Sequence, residues 1–190
     1  MTRDDGSEVT PCLIGKLIVA TPTLLDPNFY RTVVFIGKHD AEGALGLVLN
    51  RPTSEPVSSY LPNWKGNVSF PEVIFVGGPV AKDIAVGLVR DPAAPPDDWI
   101  PIFENAGFID LGLTPESLVT VNAARVYSGY SGWISGQLEV ELSTGSWIVA
   151  DAEISDLFTD DPGVLWNKVL RRQKGPASLY SSFPDDLTVN

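Results

Sequence analysis

The sequence predicts a single α+β domain, layered or barrel-like, and three observations carry that prediction. Short β-branched and aromatic runs recur through the first half, and helix-start signals gather in the second. The 44% hydrophobic residues against 19% charged ones suffice for a packed core. At 190 residues the chain has the size of one domain, and such a globule hides roughly 70% of the surface its unfolded form exposes. The domain is expected over residues 11–183, between a flexible tail at 1–10 and a second tail at 184–190.

The first strand is predicted over residues 15–20, after Pro11, with Thr21-Pro22 and Asp26-Pro27 marking a connecting loop. Over residues 32–38, Val33 and Phe35 lie on one face and Val34 and Ile36 on the other. Apolar on both faces, this segment reads as a central strand. Residues 44–50 behave similarly and end at Arg51-Pro52, where proline removes a ladder donor. Further strands are predicted over 73–76, 84–90, 147–150 and 179–183, and the proline-rich stretch 91–101 reads as a surface loop.

Thr114-Pro115-Glu116 combines an N-cap, a proline at the first helical position and an acid at the positive dipole end, so a helix is predicted to about residue 122. Asp161-Pro162 repeats that logic before a helix over 164–172, where Leu165, Val169 and Arg172 share a side. Residues 137–142 are open between two readings. Their alternation suits a strand, whereas Ile134, Leu138 and Leu142 suit a helix, which propensity also favours. Ser131 is read as the cap of that helix.

Thirteen Lys and Arg face twenty-four Asp and Glu, and the net charge of −11 repels phosphates and anionic lipid on average. Direct DNA binding is therefore disfavoured. Cys12 stands alone, so neither an intrachain disulfide nor a multi-thiolate metal site can form, and a reducing compartment fits. Residues 1–10 lack the apolar region of a secretory signal, and no run approaches the roughly 20 apolar residues of a membrane span. A cytoplasmic protein without a membrane partner is the expectation, with the oligomeric state left open.

Nothing matches G-x-x-x-x-G-K-[ST], and the glycines at 129, 132 and 136 do not fit G-x-G-x-x-G, so no cofactor is expected. Gly129-Tyr130-Ser131-Gly132 misses a nucleophile elbow by one place. His39, the single histidine, would have to serve as its base. It follows a buried strand at the parity of Val33 and Phe35, which suits a ligand contact or a hydrogen bond to nearby backbone. No second histidine is present to complete a metal site. Gly77-Gly78 could present amides to an anion or form a turn.

Four segments together carry a resemblance: GKLIVATPTLLDPNFYRTVVFI from Gly15, KHDAEGALGLVLNRP from Lys38, VGGPV from Val76, and GYSGWISGQLEVEL from Gly129 followed by Trp147. The chain resembles the AlgH/YqgE family of uncharacterised bacterial proteins. That resemblance implies a small closed or bifurcated sheet surrounded by helices, a helix for the Gln137 segment, and no established catalytic residues. Many members carry a second histidine after the Gly-Gly-Pro, which is absent here. The family name carries an association with transcriptional control, which the charge of −11 makes unattractive as direct DNA binding.

The leading expectation is a noncatalytic binding or regulatory domain with a pocket near Arg31, His39, Asn50, Arg51, Gly77 and Gly78, suited to a small anionic ligand. One alternative is a hydrolase or transferase using Ser131 and His39. Another is an adaptor in a protein assembly, presenting Trp64, Trp99 and Trp166.

Overall fold

The computed structural model describes residues 12–90, 99, 101–109, 111 and 123–183. Among the described residues, nine strands run in chain order as β1 (Lys16–Ala20), β2 (Val33–Asp40), β3 (Gly43–Val48), β4 (Pro52–Pro56), β5 (Val73–Val76), β6 (Val80–Arg90), β7 (Ala106–Ile109), β8 (Ala123–Ile134) and β9 (Trp147–Asp151). The described α-helices are α1 (Gln137–Ser143), α2 (Ile154–Leu157) and α3 (Leu165–Arg171). The fold is α+β, in one open sheet ordered β4-β5-β8-β3-β2-β1-β9, with β6 pairing both β7 and β8. The closed alternative is thus corrected, and so is the expectation of a small sheet.

The branch arises on β8, which is long enough to serve three partners. Ser131 to Ile134 pair with β3, while residues 123–128 and Tyr130 pair with β6, and Tyr127 and Ser128 also meet β5 in parallel. Tyr127 and Trp133 have the same parity yet enter different core clusters. A regular strand would put them on one face. Gly129, at φ +67° between them, takes the left-handed conformation that lets the strand change facing.

The central strands are buried on both sides, as their apolar runs predict. Val33 and Phe35 join Leu17, Leu47 and the α3 residues Leu165, Trp166 and Val169. Val34 and Ile36 join Ile18, Val48, Trp133, Trp147 and Leu138 of α1. A third cluster, including Val57, Trp64, Val89, Ala124 and Val126, lies under the β4-β5-β6 branch. At about 25 cal/mol per Å² these apolar faces supply the dominant stabilisation.

Residues 137–143 are helical. Gly136 occupies the N-cap at φ +74°, so the cap is glycine and Ser131 lies inside β8. The expected strand over 179–183 is replaced by 3-10 helix over Gly175–Ser182, which packs on α3. The helix expected from Thr114 to residue 122 and both tails lie outside the described residues, as does most of the 91–101 loop. No described helix is long and apolar enough to cross a membrane.

Candidate functional site

His39 lies near the end of β2, with a side chain only 6% exposed. The Leu13 backbone N–H donates to its Nδ1 at 3.2 Å, and its Nε2 lies 2.8 Å from Glu139 Oε1 on α1. An Nδ1 that accepts leaves the proton on Nε2, which therefore donates to the carboxylate. Glu139 is held below the usual carboxylate range, first by its own backbone N–H at the helix start and then by His39. Beside this pair, Glu141 Oε2 accepts from Trp133 Nε1 at 2.9 Å and from Trp147 Nε1 at 2.8 Å. Gln137 Nε2 donates to the other Glu141 oxygen at 2.9 Å. The Gln-Leu-Glu segment thereby fastens α1 to the sheet.

Arg31, Asn50 and Arg51 meet at the opposite end of β2. Asn50 Oδ1 accepts from the Val33 N–H at 3.0 Å, while its Nδ2 donates to Arg31 O at 2.9 Å. Arg31, at φ +52°, stacks its guanidinium 4.4 Å from the Trp166 ring centroid and donates to Phe183 O. Arg51 donates to Tyr30 O, and burial lowers its pKa. Val33 and His39 are six residues apart along one strand, about 20 Å at 3.3 Å per residue. The two arginines and Asn50 thus share one turn, and His39 stands at the far edge.

Gly77 and Gly78 adjoin β8. The Gly77 N–H donates to Ser128 O at 2.9 Å, and Gly77 O accepts from the Val48 N–H at 2.9 Å. A Cβ on Gly77 would stand 2.2 Å from Gly129 O, and one on Gly78 would stand 2.3 Å from Tyr130 O. Close backbone approach is what requires both glycines here. Ser131 is buried in the same seam and donates its Oγ proton to Gly77 O at 3.1 Å. Across the sheet, β3 separates Ser131 from His39, placing their strands about 10 Å apart. Trp64 and Trp166 are core residues rather than surface ones, and Trp99 packs against the third cluster.

Two features escaped the sequence. Arg125 of β8 is 1% exposed and donates to Phe70 O at 3.0 Å and Thr159 O at 2.8 Å, with its guanidinium 4.4 Å from the Phe75 ring centroid. Burial lowers its pKa and pushes the neighbouring Tyr127 up to about 12. Only a cation inside an apolar strand could have signalled it. The other feature is a cavity of about 380 Å³ on the branch, within the range of small-molecule pockets.

The cavity has a structural cause. Between the pairs Val80↔Tyr130 and Ala85↔Ser128, β6 advances five residues while β8 advances two, so Lys82, Asp83 and Ile84 bow away from the sheet. Ser128 Oγ donates to Lys82 O at 2.5 Å and ties down the base of the bow. Ile74, Val76, Ala85 and Val126 supply apolar lining from β5, β6 and β8, and Tyr60 and Leu61 line the cavity from the segment after β4. None of the six residues first singled out lines this cavity. Among the described residues, no group of three His, Cys, Asp or Glu could hold a metal ion.

Residues 17–178 match the AlgH-like family, DUF179. A UPF0301 protein of Streptomyces coelicolor is 44% identical over 97% of this chain and 99% of its own length. One from Mycobacterium tuberculosis is 41% identical over 93% of this chain and 90% of its own. The fold is similar to the crystal structure of a Corynebacterium diphtheriae protein, with TM-score 0.84 and 29% identity over 92% of this chain and 94% of that one. It is also similar to the solution structure of the AlgH protein from Pseudomonas aeruginosa, with TM-score 0.69 and 25% identity over 98% and 100% of the two chains. This chain belongs to the AlgH-like family.

Proposed function

We propose that this protein is a noncatalytic binding domain that holds a small molecule in the cavity beneath the β6 bow. The observation that carries the reading is the cavity itself: an apolar lining from paired strands, with a few polar groups at its rim. The residues that resemble catalytic machinery support the same reading. His39 uses both ring nitrogens and Ser131 uses its hydroxyl proton within the fold, and β3 lies between their strands. A nucleophile and its base need hydrogen-bond reach.

The anionic ligand expected from Arg31 and Arg51 loses its electrostatic motive at this cavity, because neither guanidinium lines it and both donate to backbone carbonyls. A thermal-shift screen across nucleotides, phosphates, carboxylates, alcohols and amines tests the proposal. The expected result is a ligand-dependent rise in melting temperature that, for an uncharged ligand, disappears in Ile84→Asp, whose side chain forms the exposed wall. Retention of the full rise in that variant, with the same affinity, would place the binding site elsewhere.

A further inference from the structure

We infer that the cavity selects a small organic amine: a hydrocarbon body carrying one ammonium group. This inference rests on the proposed binding role of the cavity and adds the chemical class of its ligand. The argument is an account of protons. Four hydroxyl-bearing side chains line the cavity; Tyr127 is fully buried in the core cluster with Phe75, and each of the other three spends its proton within the fold. Thr53 Oγ1 donates to Ile74 O at 2.7 Å, Ser128 Oγ donates to Lys82 O at 2.5 Å, and Tyr60 Oη donates to Glu55 Oε2 at 3.3 Å.

What these side chains still offer a ligand is therefore acceptor capacity. Glu55 and Asp83 add two carboxylates against one ammonium, Lys82. An incoming carboxylate or phosphate would find a single cationic side chain and two like charges. An incoming ammonium has three protons to give to an acceptor-rich rim, and the Tyr60 ring beside Glu55 supplies a polarisable face. Around this site the whole chain carries a net charge of −11, which raises the local concentration of organic cations. The hydrocarbon part covers Ile74, Val76, Ile84 and Val126, removing apolar surface from water.

The test uses the full chain and three probes of similar shape: 2-phenylethylamine, 3-phenylpropan-1-ol and 3-phenylpropanoate. Affinities are read by titration calorimetry and by NMR shifts of Val76, Ile84 and Val126. At low salt the amine is expected to bind about fivefold more tightly than the alcohol, the scale of a partly exposed charge interaction. The carboxylate is expected to bind more weakly than the alcohol. Added salt should narrow the spread. The double variant Glu55→Gln, Asp83→Asn should reduce the amine to the affinity of the alcohol while leaving the alcohol unchanged, with circular dichroism confirming an intact fold.

Binding led by the alcohol or the carboxylate would leave the cavity as a ligand site and overturn its preference for amines. Equal amine affinity in the double variant would do the same. If none of the three probes binds and the cavity resonances stay still, the binding role itself falls, and this inference with it.

Discussion

The two ends of β8 are used in opposite ways. Its last four residues run along β3 and lead into α1, where nearly every polar side chain has found a partner: Ser131, Trp133, His39, Gln137 and Glu141 are all hydrogen-bonded. Its middle runs beside the β6 bow, where carboxylates and hydroxyl oxygens keep spare acceptor capacity beside an apolar lining. The comparison teaches that residue types associated with chemistry gather where the fold needs fastening. The open site is made by ordinary residues around an irregularity in strand pairing.

The sharpest way to break that contrast is to cut the fastening. In Glu141→Ala two tryptophan N–H groups on nearly buried rings lose their shared acceptor. The expected loss is about 3 kcal/mol in a urea titration, since an unsatisfied buried donor costs about 1–3 kcal/mol. Glu55→Ala at the cavity rim should change stability by less than about 0.5 kcal/mol, the range of exposed substitutions. Equal effects at the two sites would erase the distinction. Gly77→Ala probes the seam between the two ends. Its Cβ would meet Gly129 O, a backbone atom that cannot rotate away, and a loss of about 2 kcal/mol is expected from such overpacking.

His39→Leu leaves the Leu13 N–H and the Glu139 carboxylate without their shared partner, with an expected loss of about 1.5 kcal/mol. Glu139→Gln gives a pH-dependent signature. The folded Glu139 has a pKa below its ordinary value of 4.5. Its carboxylate therefore contributes stability that is fully present above pH 4.5 and is lost as the pH falls through the depressed folded value. The stability gap between wild type and Glu139→Gln should be constant near neutrality and shrink in acid. A gap that widens below pH 4.5 would contradict the assigned direction.

How much of this was legible in the sequence follows from local pattern. β2 was readable because Val33, Val34, Phe35 and Ile36 are all apolar, and each went to the cluster its parity assigned. β8 was hidden because Gly129 and Gly132 interrupt its apolar run, and its facing changes at a left-handed residue that no period of two describes. β4 was hidden because prolines stand at both its ends, as they can on an edge strand. The grouping of Arg31 with Asn50 came through chain proximity, since Asn50 reaches back to the turn that precedes β2. The distance from there to His39, and the cavity altogether, depend on non-local pairing: five residues of β6 set against two of β8. No single segment encodes that mismatch.

Ile84→Asp should give the smallest stability effect and the most informative one. The side chain is 53% exposed on the bow, so replacing it removes little buried surface, and a change within about 0.5 kcal/mol is expected. Yet the new carboxylate would stand in the cavity wall beside Val76 and Val126, where an apolar ligand body would have to desolvate it. Binding of the uncharged alcohol probe should therefore fall at least about tenfold, which corresponds to roughly 1.4 kcal/mol, while the urea midpoint barely moves. Glu141→Ala should show the reverse pattern, with a large change in midpoint and little change in affinity for whatever fraction remains folded. If Ile84→Asp instead destabilises the fold as Glu141→Ala does, the bow is a fastening too, and the division of labour along β8 disappears.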